Sequence, residues 1–225
     1  MSAASPLIVT LTDPHSPAAE AYRSLRTNVQ FASLEPPVRT ILVTSAGPDE
    51  GKSVTAANLA VILAQADQRV VLVDADLRRP VQHDLFGVQS QPGLSTMLLA
   101  AAAEPAPLQG TTVPQLSVLP SGPLPPNPAE LLASPRLRAA LAALREEADY
   151  VVIDSPPVAV VTDAAVLATQ VDGVLLALSV GKVKRDVAAQ AKTLLESVHA
   201  TILGVVLHNV PFNPRDFQEY FPATA

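Results

Sequence analysis

The 225 residues include no cysteine, no tryptophan and only two methionines. Without cysteine the chain cannot form a disulfide or offer a thiolate to a metal, a composition that fits a reducing cytoplasm. Charged residues make up only 16% and the formal net charge is −6, so no basic field exists to hold nucleic acid. No apolar run reaches the roughly 18 residues of a membrane-spanning helix. The N-terminus "MSAASPLIVTLTD" lacks the basic region and the longer apolar stretch of a signal peptide. The chain as written is therefore expected to be soluble, with any work at a membrane done through a partner.

Aliphatic residues fill the place of the missing aromatics: 48% of the chain is apolar but only 4% aromatic. Apolar runs recur at 40–45 (TILVTS), 69–76 (RVVLVDAD), 150–155 (YVVIDS), 173–180 (GVLLALSV) and 201–209 (TILGVVLHN). Their near-continuous apolarity predicts strands covered on both faces. Segments 53–66, 129–148, 163–170 and 184–198 read as helices, and Leu137, Leu141 and Leu144 share a face of the second. Strand–helix alternation predicts a single α/β domain with a mostly parallel sheet flanked by helices. Residues 104–128 hold eight prolines and are expected to form an extended insertion, with "LSVL" a short strand inside it.

The segment 16–32 is a helix candidate, with Ser16 able to cap it and Pro17 at its first position. Ala21, Leu25 and Val29 are expected to make its apolar stripe. Glu20, Arg23 and Arg26 recur every three residues, within about 120° of one another. On spacing alone this is a solvated face with a local Glu–Arg pair.

Three stretches carry chemistry. "AGPDEGKS" (46–53) fits a phosphate-binding loop with alanine in place of its first glycine, lying between a strand and a helix as such a loop must. Loop N–H groups and the helix N-terminus bind phosphate oxygens, Lys52 reaches the β- and γ-phosphates, and the Ser53 hydroxyl ligates Mg²⁺. Gly47, Glu50, Gly51, Lys52, Ser53 and Val54 are accordingly the expected nucleotide-binding residues, with the glycine at 51 leaving the backbone room to approach phosphate. Asp74 and Asp76 end a strand, and period-two geometry turns both carboxylates toward the crevice at the carboxyl ends of the strands. There they hold the metal's waters or accept a proton from an attacking hydroxyl; the alternative is that they cap the following turn. Asp154, ending "YVVID", suits a carboxylate contacting Mg²⁺ directly or through water, which makes Ser53, Asp74 and Asp154 the expected metal set.

Other polar residues say less. Arg78 and Arg79 are open between steadying phosphate and solvation, and Asn209 between contacting a base and ending a strand. Thr162-Asp163 reads as a plain helix start. The four histidines share no spacing that would suit a metal.

Taken in order, "SPAAEAYRSLRTNVQF", "TSAGPDEGKS", "VVLVDADLRRP", "GLSTMLL", "LPSGPLPPNPAELLASPR" and "YVVIDSPPV" resemble the cytoplasmic domain of the bacterial tyrosine kinases of polysaccharide export, from about residue 16 to 209. The resemblance implies a P-loop NTPase-like fold and an ATP–Mg²⁺ kinase that phosphorylates tyrosines in its own tail and in other proteins. It makes Lys52, Asp74, Asp76 and Asp154 the catalytic set, with a carboxylate of the 74–76 pair as base. It also turns Glu20, Arg23 and Arg26 into an oligomerisation motif, and implies ring-shaped oligomers and a membrane chain-length regulator as activator. The expected organisation is an N-terminal segment 1–15, a helix with the oligomerisation motif 16–32, a kinase domain 33–210 and a tail 211–225. The expected location is the cytoplasm, peripheral to the inner membrane through the activator; otherwise the chain is the excised cytoplasmic domain of a membrane protein.

One departure stands out. The family's tail carries a tyrosine cluster, whereas this tail has only Tyr220 as a phosphoacceptor. An ATP-binding scaffold of weak activity is one alternative this leaves. The other is an ATPase switch of the partition or cell-division type, but those proteins carry a signature lysine five residues before the loop lysine, where this chain has Gly47.

Overall fold

The computed structural model describes residues 5, 7–32, 37–100 and 105–211. Along the chain come α1 (Val9–Thr12), α2 (Pro17–Ala32), β1 (Thr40–Ser45), α3 (Lys52–Ala64), β2 (Val70–Asp74), α4 (Gln82–Phe86), α5 (Leu94–Leu99) and β3 (Gln109–Gly110). There follow β4 (Leu116–Leu119), α6 (Pro128–Leu132), α7 (Pro135–Glu147), β5 (Tyr150–Asp154), α8 (Asp163–Ala168), β6 (Gly173–Ser179), α9 (Arg185–Ser197) and β7 (Ile202–His208).

The strands make one sheet in the order β3-β4-β2-β5-β1-β6-β7, parallel throughout except that β3 runs against β4. Alternation along each strand sends side chains to two apolar layers. Leu42, Val71, Val73, Val151 and Ile153 pack beneath α7, α8 and α9. Ile41, Val43, Leu72 and Val152 pack beneath α3, with Val29 of α2 and Leu85 of α4 in the same layer. From Thr55 to Ala64 every residue of α3 is buried, as its all-round apolarity requires. Both faces of the central strands are therefore dry, and polar groups escape to the surface only at strand ends. This confirms the α/β reading with its parallel sheet and P-loop NTPase-like topology.

Several boundaries differ from the sequence reading. The helix expected at 129–148 is two, α6 and α7, because Pro135 disfavours helical geometry at Ser134, which is extended (φ −68°, ψ 148°). On α2 the buried residues are Ala19, Tyr22 and Val29. Leu25 is half-buried and Ala21 exposed, so the apolar face lies one residue round from the 21–25–29 stripe. The proline-rich stretch does not separate two domains: its "LSVL" is β4, paired in parallel with β2. The short helices α1, α4 and α5 have no counterpart in the periodicity.

Leu72 lies on a central strand with no exposed surface. Leu72→Ala is expected to lower the free energy of unfolding by about 2–5 kcal/mol in urea denaturation, and a loss under about 1 kcal/mol would contradict its burial between sheet and α3.

Candidate active site

Three strands that are neighbours in the sheet, β2, β5 and β1, end at one place. Their register sets Asp74 directly beside Asp154, and Asp154 beside Val43. Two residues beyond Val43, β1 gives way to the loop 46–51, which turns into α3. Sheet geometry alone thus brings two carboxylates and the phosphate-binding loop together.

The loop is tied to itself. Ser45 Oγ donates to the Gly47 carbonyl at 2.7 Å, and Glu50 Oε2 accepts the Ala46 N–H at 3.2 Å. Glu50 is buried, its side chain spent on the loop's own backbone. Gly51 enters α3 in the left-handed region (φ 91°), where a side chain would be strained. Gly51, Lys52, Ser53 and Val54 line a cleft of about 290 Å³ with Asp76 and Arg79. Gly47 and Glu50, expected among the nucleotide-binding residues, brace the loop outside that cleft.

Lys52 is the centre of the charged cluster. Its Nζ lies 2.8 Å from Asp76 Oδ2, 3.3 Å from Asp154 Oδ1 and 3.0 Å from Ser53 Oγ. Burial works to lower the pKa of the ammonium, but Asp154 and Asp76 together outweigh it and hold Lys52 above its usual range. Asp74, with no exposed surface, sits behind them. Burial first, and the neighbouring Asp154 charge second, push its pKa up to about 8.

The acidic pair caps the turn that follows β2. Asp76 Oδ1 accepts the Arg79 and Arg78 N–H groups at 2.9 and 3.3 Å, while Asp74 Oδ2 accepts those of Val81 and Gln82 at 3.0 and 2.9 Å. The carboxylates shape the turn after β2 and also face Lys52. Two residues escaped the sequence reading. Gln82 Nε2 donates to Asp154 Oδ2 at 2.8 Å and to the Ser53 carbonyl at 3.1 Å. Asp163 is no plain helix start: its fully buried carboxylate takes Arg78 Nε and Nη2 at 2.9 and 3.0 Å. That bidentate pair fastens the acidic turn to α8. Their only signal in the sequence was polarity near an apolar run, which thousands of surface residues share.

The donor set suits Mg²⁺. Asp74 Oδ1 and Gln82 Oε1 are buried without a hydrogen-bond partner among the described residues, beside the Ser53 hydroxyl's end of α3. Those residues hold no cluster of three or more histidine or acidic side chains arranged as a complete metal cage. Mg²⁺ needs none, since it is commonly held by one or two protein oxygens with phosphates and water completing its shell.

Elsewhere the motif of α2 is partly engaged within the chain. Arg23 Nη1 pairs with Glu20 Oε2 at 2.8 Å, and Arg26 Nη1 leans on the Ile62 carbonyl near the end of α3 at 3.4 Å. Tyr220 lies outside the described residues.

A P-loop NTPase family model described as ParA, NUBPL iron-transfer P-loop NTPase, matches residues 38–213. The chain is 38% identical over 214 residues to tyrosine-protein kinase YwqD of Bacillus subtilis, covering 95% of this chain and 90% of that one. It is 35% identical over 202 residues to tyrosine-protein kinase CpsD of Streptococcus agalactiae, covering 89% and 87%. The chain belongs to the bacterial tyrosine-kinase family of P-loop NTPases. The kinase domain of the Escherichia coli tyrosine kinase Etk superposes with a TM-score of 0.86 at 33% identity, over 95% of this chain and 85% of that domain. The iron in the family model's description belongs to that description; this kinase-family chain has no cysteine to offer it.

Asp74 gives a pH signature with a definite sign. Its folded pKa of about 8 lies above the unfolded value of about 3.9, so the folded state holds a proton that the unfolded state releases. The stability this contributes is present in acid and is lost as pH rises through about 8. The melting temperature of the nucleotide-free protein should therefore fall from pH 5 toward pH 8, and Asp74→Asn should flatten that fall in differential scanning calorimetry. An unchanged slope in the variant would contradict the assignment.

Proposed function

We propose that the chain is an ATP-dependent protein-tyrosine kinase of a capsule or exopolysaccharide system, acting on its own tail and on other proteins. The observation that carries this is the meeting of Lys52, Asp76 and Asp154 at the phosphate loop within 3.3 Å, in a chain that spans 90% and 87% of the YwqD and CpsD tyrosine kinases. Loop N–H groups with Lys52 take the ATP phosphates. Ser53, Asp74 and Asp154 hold Mg²⁺, which when bound neutralises charge on the phosphates.

The residues divide the remaining work by depth. Asp76 lines the cleft, so it is the carboxylate able to reach an incoming phenol; Asp74 lies behind it. The phenol oxygen bonds to the γ-phosphorus as the bond to the β–γ bridging oxygen breaks. ADP leaves with that electron pair, and the phenol proton passes to Asp76. Arg78, fixed by Asp163, keeps the turn that aims Asp76.

Tyr220 is the proposed phosphoacceptor. Of the chain's three tyrosines, Tyr22 is buried on α2 and Tyr150 opens β5 at the sheet end away from the cleft. Glu20, Arg23 and Arg26 are assigned to assembly of a ring, and a membrane chain-length regulator to activation. No helix among the described residues is long and apolar enough to cross a membrane, which suits such a peripheral role. A partition-type switch is disfavoured by Gly47 at the position of that group's signature lysine.

Incubation with ATP and Mg²⁺ should add one phosphate by intact mass, mapping to Tyr220. Lys52→Met should abolish it while the circular dichroism spectrum stays folded. A fully active Lys52→Met protein would overturn the assignment. Changing Glu20, Arg23 and Arg26 together to alanine should leave a monomer by light scattering; persistence of the larger assembly would remove the motif from that role.

A further inference from the structure

Gly51 faces the cleft on one side and a histidine on the other. A Cβ added at Gly51 would stand 2.5 Å from His208 Nε2 and 2.6 Å from two ring carbons. The imidazole at the end of edge strand β7 therefore packs flat against the loop where it turns into α3. Sequence reasoning gave this glycine one purpose, room for phosphate; the ring behind it is a second, independent demand.

His208 is itself held. Its Nε2 lies 2.7 Å from Thr55 Oγ1. Thr55 is fully buried one turn into α3, and its N–H donates to the Gly51 carbonyl at 2.8 Å. The Tyr22 phenol of α2 lies near the same hydroxyl. On the main chain, the His208 carbonyl accepts the Val180 N–H at 2.9 Å. Asn209, in the left-handed region at φ 56°, donates from Nδ2 to Ser179 Oγ at 2.7 Å. Strand pairing on one side and this turn on the other leave the ring little freedom.

The proton order in the chain follows from burial. Burial pushes the His208 pKa down, so the ring is neutral, and it raises the Tyr22 pKa to about 12, so the phenol keeps its proton. With the ring neutral, its Nε2 can accept from the Thr55 hydroxyl.

We propose that His208 is a positioning residue of the nucleotide site, its imidazole locked by Thr55 so that Gly51 is fixed in its left-handed conformation. Glycine populates many backbone conformations, and the N–H groups of 51–53 point at one phosphate position only when that freedom is removed. His208 removes it by contact, without touching the nucleotide's phosphates. This inference rests on the reading of residues 46–53 as the phosphate loop.

The test is calorimetric titration of the full chain with MgADP, with melting temperatures measured beside it. His208→Ala should weaken binding roughly tenfold, the size of one lost hydrogen bond. His208→Gln, whose amide oxygen can accept from Thr55, should stay within about threefold of wild type. Thr55→Val should resemble His208→Ala, and the double variant should bind no more weakly than either single one, since the two act as a unit. A residue of merely structural value would move the melting temperature and leave the affinity alone. Wild-type affinity in His208→Ala, equal weakening in His208→Gln, or additive losses would overturn the proposal. If His208→Ala fails to fold, the other two variants decide: wild-type affinity in Thr55→Val overturns it, and weakening there with retention in His208→Gln supports it. A wild-type chain that binds no MgADP would instead overturn the phosphate-loop reading, and this inference with it.

Discussion

Two carboxylates forced side by side in a dry place, one of them paired with a lysine, are the constraint on which this end of the molecule depends. Parallel register between β2 and β5 leaves Asp74 and Asp154 no choice of neighbour. Like charges at that depth cannot both persist unless a cation compensates or one of them keeps a proton. Lys52 stands between Asp76 and Asp154, and burial with the adjoining Asp154 charge raises the Asp74 pKa to about 8.

Everything around the cluster serves to hold it still. The acidic turn after β2 is closed by its own backbone N–H groups on Asp74 and Asp76, then strapped to α8 through Arg78 and Asp163. Gln82 bridges Asp154 to the start of α3. The loop is closed from inside by Glu50 and from behind by His208. Helix α2, which carries the proposed assembly motif, packs against α3 through Val29 and Tyr22.

The central strands were legible in the sequence because burial on both faces demands unbroken runs of Val, Ile and Leu. The loop, Asp74, Asp76 and Asp154 were legible because they stand at the ends of such runs, where polarity is conspicuous. Residues that depend on a partner far along the chain were not. Asp163 meets Arg78 across 85 positions and His208 meets Thr55 across 153, and no local pattern encodes either meeting. The break before Pro135 was present in the letters but was overridden by the leucine spacing. The inward bond from Glu50 to the Ala46 N–H was not legible either, because spacing locates a residue in the loop without saying which way its side chain turns.

The most direct measurement is of protons released when MgADP binds, read with an indicator in weakly buffered solution at pH 7. Asp74 titrating near 8 and then meeting Mg²⁺ should release about one proton per site, and Asp74→Asn should release none. No release by the wild-type protein on saturation with MgADP, or equal release by the variant, would contradict a buried carboxyl that holds its proton until the metal arrives.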